Sequence, residues 1–144
     1  MTWFDPILAQ VRFGTVLRPS LAGPMSVDQM VSQLSGDDAI AQGLPIPTFA
    51  QISPSPQDFV AATRARRDVL GTNAEEAAQE RVRDLRRASQ ATTYRNALTT
   101  IARGVTAQDG LRERLVAFWA DHFTAKARRT QDQHLITAYV EDAI

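Results

Sequence analysis

The chain predicts an all-α fold, an irregular bundle of about six helices, and three observations carry that expectation. Apolar residues recur at the 3.6-residue spacing of a helix face. Cap residues and prolines stand where helices would begin, and glycines where they would end. No run alternates apolar and polar residues over a useful strand length. The 144 residues read as a single helical domain or a fragment of one over 1–144, with a long Pro-containing connector at 37–55.

Asp5-Pro6 opens the first helix, an N-cap acceptor followed by proline at N1, where its missing N–H is not needed. Ile7, Leu8 and Val11 give it a face, and Gly14 is expected to close it as a left-handed C-cap. After a loop containing Pro19, Gly23 and Pro24, Ser26 opens the second helix. Gln29 stands at N3 of a capping box, and Met25 and Met30 occupy the staple positions. Gly36 ends it. The connector holds Pro45, Pro47 and Pro54 without a sustained period, and its scattered Ile40, Leu44, Ile46, Phe49 and Ile52 predict that it lies against the body.

Ser55-Pro56 repeats the cap-plus-proline signal for a third helix, with Phe59, Val60 and Ala62 or Thr63 on its face and Gly71 as its stop. The fourth helix is long, about 74–103. Its stripe of small residues is weak: Val82, Leu85, Ala88 or Ser89, Thr92, Leu98, Ile101 and Ala102. Ala91-Thr92-Thr93 is a point of poor propensity where it can bend, and Gly104 is the expected end. Thr106 is the expected N-cap of the fifth helix, about 107–123. Leu111, Leu115, Phe118, Trp119 and His122 form its stripe, whose burial would contribute about 1.5–3 kcal/mol per large apolar side chain. Thr130 is expected to cap a sixth helix through Leu135, Ile136, Tyr139 and Val140. That face runs to Ile144 without a closing glycine, which predicts an incomplete N-terminal portion of a larger helical domain, with apolar helix faces left for self-association.

Composition narrows the function classes. The formal net charge is +0, so no global field recruits nucleic acid or anionic lipid. There is no cysteine, which excludes disulfides, thiol catalysis and thiolate metal sites. No run approaches the roughly 20 apolar residues of a membrane span, and the first residues lack a basic stretch followed by an apolar core, so a cytoplasmic location is expected. Fifteen arginines accompany one lysine, Lys126. Seven of those arginines (Arg64, Arg66, Arg67, Arg81, Arg83, Arg86, Arg87) are interleaved with Asp68, Glu80 and Asp84, the pattern of a solvated, salt-bridged surface rather than of the one-sided patch that phosphate binding needs. No nucleic-acid partner is therefore expected. Gly-rich phosphate loops, a nucleophile elbow and a dinucleotide fingerprint are all missing, and the cofactor stays open.

Two places carry a resemblance. Near the start stand Arg12-Phe13-Gly14, Arg18-Pro19 and Val31-Ser32-Gln33-Leu34. Downstream stand Leu111-Arg112-Glu113-Arg114-Leu115-Val116-Ala117-Phe118-Trp119-Ala120-Asp121-His122-Phe123-Thr124, then Tyr139-Val140-Glu141-Asp142-Ala143-Ile144. In order and spacing these resemble the start of the bacterial family called domain of unknown function 1800. Members commonly have a second glycine after the triplet, where this chain has Thr15-Val16-Leu17. The resemblance implies a helical portion of a longer protein and no particular reaction.

His122 is the first candidate for chemistry. It reads either as a histidine satisfied at the end of a core helix or as a metal ligand or general base, since imidazole titrates near neutral pH. Glu113 and Glu141 are the carboxylates that would serve it, and His122 with His134 the pair that would hold a divalent ion, although no ligand spacing of the His-x-x-x-His kind is present. Trp119 and Phe118 read as core rather than as a cofactor platform, and Arg112, Glu113 and Arg114 as solvated charges. Two functions follow: a non-catalytic helical scaffold or interaction module, and the N-terminal part of an enzyme using His122 with a carboxylate, with or without a metal.

Overall fold

The computed structural model describes residues 3–17 and 22–144. Arg18 and Pro19, which carry part of the resemblance, lie outside the described residues. Among the described residues there are seven α-helices, one 3-10 turn and no strand. The helices are α1 (Pro6–Phe13), α2 (Val27–Leu34), α3 (Ala39–Gly43), α4 (Pro56–Asp68), α5 (Glu75–Thr106), α6 (Gly110–His122) and α7 (His134–Ala143). The fold is all-α, as its periodicity predicts; the helix beyond the expected set is the five-residue α3, inside the Pro-containing segment. No described helix is long and apolar enough to cross a membrane.

The chain divides into two compact units. One comprises the chain to Pro45 with Leu98–Thr124 and Ile144; the other comprises Ile46–Ala97 and Ala125–Ala143. Helix α5 supplies its longer first part to the second unit and its end to the first.

In the first unit, caps form largely where the residues ask for them. The Asp5 carboxylate accepts from the Ile7 and Leu8 amides at 2.9 and 3.1 Å, and Ser26 Oγ accepts from the Gln29 amide at 3.1 Å. The Gln29 side chain reaches one residue further back than a capping box requires, to the Met25 amide at 2.7 Å. Met30 is buried and Met25 exposed, so the expected staple is not closed. Gly14 departs from expectation: its φ of −88° and ψ of 169° are extended, not left-handed. Its missing side chain serves proximity instead. A Cβ there would sit 2.6 Å from Gln10 O, and a Cβ on Gly110 would sit 3.0 Å from Gly14 Cα. The start of α6 thus lies directly on the end of α1.

In the second unit, Ser55 and Asp58 form a full capping box at the head of α4, and the Ser55 amide and hydroxyl hold the Asp58 carboxyl below the usual carboxylate range. Phe59 and Ala62 of α4 pack with Val82 and Leu85 of α5 as the buried apolar cluster, whereas Val60, expected on that face, is exposed. Gly71 takes a φ of +75° after α4, a conformation that favours glycine.

Helix α5 corrects three expectations. It runs unbroken through Ala91-Thr92-Thr93: Thr93 Oγ1 bonds back to Ser89 O at 3.0 Å, a local bond that by itself favours bending, while the buried Thr92 donates outward to Ser53 O at 3.0 Å and ties this turn to the chain before α4. It passes through Gly104 and ends at Thr106, whose hydroxyl bonds to Ala102 O at 2.7 Å rather than capping the next helix. Its buried stripe is Val82, Leu85, Ser89, Thr92, Asn96 and Arg103, and the expected Leu98 and Ile101 are exposed. From Val82 to Asn96 the stripe steps by three and four residues in turn, the spacing of a helix seam, and Arg103 follows seven residues on. The N-cap of α6 is Asp109, and α7 is preceded by the 3-10 turn Thr130–Asp132, whose N-cap position, Arg129, offers no side-chain bond. Thr130 is therefore in the turn, not at a helix cap.

Candidate functional site

Helix α6 concentrates the candidate residues, and its geometry separates them. The Asp109 carboxylate accepts from the Arg112 amide at 3.1 Å at the head, and the Phe123 amide donates to Trp119 O at 2.8 Å at the tail. Thirteen residues between these caps present two different flanks.

On one flank stand Leu115, Phe118, Trp119, His122 and, just past the helix, Phe123. None of the large side chains of α6 is fully buried: Phe118 is 55% exposed and Trp119 41%. The expected burial of this stripe is not found in this chain. The rings pack on one another instead. Phe118 and Trp119 meet edge to face with centroids 5.1 Å apart, Trp119 stacks on Phe123 at 5.4 Å, and His122 stacks on Phe118 at 5.9 Å. His122 is thus an exposed member of an aromatic ladder.

On the other flank stands Glu113. Nine positions separate it from His122, which is half a turn out of phase, so the helix holds the two on opposite sides. Glu113 lines a cavity of about 480 Å³ with Asp37, Asp38, Asp109 and Arg112 among its walls. Partial burial raises its carboxyl above the usual value of 4.5. Asp38 and Asp109 add to that rise, while Arg103 and Arg112 oppose it. The neighbouring charges already have tasks. Asp38 caps α3 through the Ala41 amide at 2.9 Å. Arg112 bonds to the Asp109 carboxylate at 3.1 Å and to the carbonyls of Gln33 and Gly36 at 2.6 and 2.8 Å, so it is an anchor rather than the solvated charge expected. Arg103 donates to Leu44 O at 2.8 Å behind α3. Spacing alone makes the Asp109–Arg112 pair legible; the loop carbonyls that Arg112 reaches, 76 and 79 residues away in the chain, leave no local signal.

The two motif regions of the first unit come together here. Arg114 donates to Gly14 O at 2.9 Å, and the Thr15 hydroxyl donates to Gly104 O. The Arg-Phe-Gly triplet is thus the seat on which the α6 motif rests.

His134 and Glu141 belong to the other unit, on α7. His134 is 1% exposed. Its Nε2 donates to Pro54 O at 2.7 Å, because a carbonyl only accepts, and its Nδ1 lies 3.0 Å from Ser89 Oγ. Gln131 O lies 2.7 Å from the same Ser89 Oγ, so the single hydroxyl proton is shared between that carbonyl and the ring. Both ring nitrogens therefore have structural partners. Among the described residues no group of three or more histidine, cysteine or acidic side chains could hold a metal ion.

No curated protein and no solved structure matches the chain. The model of the family described as "Protein of unknown function (DUF1800)" matches residues 12–144, nearly the whole chain, and the protein belongs to that family.

Proposed function

We propose that this member of the family is a helical interaction module that associates with a second apolar helical surface through the aromatic flank of α6. The observation that carries this reading is the exposure of Phe118, Trp119 and Phe123 side by side. Contiguous exposed apolar surface of this kind marks interaction sites in soluble proteins, and aromatic side chains dominate the energetics of interfaces. The hydrogen bonds and caps of α6 engage its head, its tail and its opposite flank, which leaves the ladder free to be covered. Sedimentation velocity across a concentration series tests the reading. We expect a mass above the 15.9 kDa of one chain, returning to one chain in Phe118→Ser. A wild-type chain that stays monomeric at every concentration, with a solvent-relaxed Trp119 emission in a Trp3→Phe background, would overturn it.

A second reading has one observation in its favour. Glu113, with its raised carboxyl in a cavity, suits a group that gives up or takes a proton, the carboxylate role in the enzymatic alternative. It would act without His122, which stands on the far side of the helix. Any reaction of this kind would show a pH limb that Glu113→Gln removes.

A further inference from the structure

We propose that Glu113 is a proton-operated latch that sets how firmly the short helix α3 is held in the first unit. The proposal is independent of the aromatic reading, because Glu113 occupies the opposite flank of α6. The argument begins with α3 itself. Five residues cannot sustain a helix alone, and α3 is held by three devices: the Asp38 cap on Ala41, the Arg103 bond to Leu44 O, and the Arg112 bonds to Gln33 and Gly36 O just ahead of it. Glu113 lines a cavity whose wall also holds Asp38, Arg112, Gln33 and Gly36, and its carboxylate makes no hydrogen bond or ion pair among the described residues.

The charged groups acting on it are Asp38 from the head of α3, Arg103 from α5, and Asp109 and Arg112 from α6, with Asp37 also on the cavity wall. Both arginines are committed to backbone carbonyls, and Arg112 also to Asp109. An ionised Glu113 therefore adds a second negative charge to the cavity wall that holds Asp38, without a dedicated partner, and like charges in a partly buried site repel. With the proton on, that repulsion is gone and α3 keeps its cap undisturbed.

The sign follows from the direction of the shift. The folded chain holds this proton more tightly than the unfolded one. The stabilisation is complete below the ordinary glutamate value of 4.5 and is lost as pH rises through the raised folded value. Amide protection factors of Ala41, Gln42 and Leu44, measured on the whole chain from pH 4.5 to pH 7.5, report it. We expect wild-type protection at α3 to fall several-fold as pH rises, Glu113→Gln to stay high and flat above pH 5, and Asp38→Asn to flatten the wild-type trend. Carbon-13 titration of the Glu113 carboxyl supplies an independent reading. Identical pH profiles in wild type and Glu113→Gln, or a Glu113 carboxyl that titrates at or below 4.5, would overturn the latch.

Discussion

Two helices of this protein exchange the roles their compositions suggest. The first part of α5, in the second unit, carries a seam of small and polar residues, and it is buried: Ser89 and Asn96 are 0% and 2% exposed. Helix α6, in the first unit, carries the densest aromatic run of the chain, and it is open. Hydropathy alone ranks them the other way. The difference lies in what stands opposite each side chain. Every polar group of the α5 seam meets a specific partner. Ser89 meets Gln131 O, Thr92 meets Ser53 O, and Asn96 Nδ2 donates to Thr137 Oγ1 at 2.8 Å. A buried polar group whose bond is made costs little, and small side chains let another backbone approach closely. The aromatic side chains of α6 meet chiefly each other.

The strongest way to break this comparison is to remove the hub of the buried seam. His134→Ala leaves Pro54 O without its donor, alters the bonding of Ser89 Oγ and opens a cavity. We expect a loss of about 3 kcal/mol in chemical denaturation, from the unpaired groups together with the void. A loss below about 1 kcal/mol would mean that the seam tolerates an unpaired interior and does not hold the unit together.

Asn96→Leu asks a narrower question. The substitution conserves bulk and adds apolar surface but leaves Thr137 Oγ1 without the donor it accepts from, while the Thr137 O–H keeps its own bond to His134 O at 3.0 Å. If pairing rather than hydropathy governs this seam, the variant loses about 1–2 kcal/mol. If it is neutral or more stable, the polar seam is there for specificity and not for stability.

How much of this could be read from the chain follows the same division. The helices and most of their starts are local matters, set by Asp5-Pro6, Ser26 and Ser55-Pro56, and each appears where its residues place it. Val82, Leu85, Ser89 and Thr92 were legible as a seam because their spacing is local too. The continuation to Asn96 and Arg103 was not, because those side chains are buried through bonds to Thr137 and Leu44 O, far along the chain. Gly14 was legible as a required glycine but for the wrong reason: its backbone is extended, and a Cβ there would meet Gln10 O, four residues back; the distant constraint falls on Gly110, 96 positions away, whose Cβ would meet Gly14 Cα, and no periodicity announces such a contact. At the candidate site, Glu113 and His122 were both identifiable by residue type, and their opposition was already implicit in one helix over about 107–123, whose period sets them half a turn apart. The charges around Glu113 come from α3, α5 and α6, and the sequence holds no rule that brings Asp38 to it.

The smallest expected effect falls on the open helix and sharpens the comparison most. Phe118→Ser replaces a large aromatic side chain on α6, and in a buried stripe such a change costs about 3–5 kcal/mol. At a side chain already more than half exposed the removed transfer energy is mostly absent, and serine and phenylalanine have nearly the same helix propensity, so the exchange adds little of its own. We expect the isolated chain, at concentrations low enough to keep it monomeric, to lose less than about 1 kcal/mol in denaturant. The same substitution at high concentration should remove whatever stabilisation association contributes, so the wild-type midpoint should rise with concentration and the variant's should not. A large loss in the dilute monomer would show that the ladder is structural, its rings supporting α6 from within. An equal concentration dependence in both chains would show that association uses some other face.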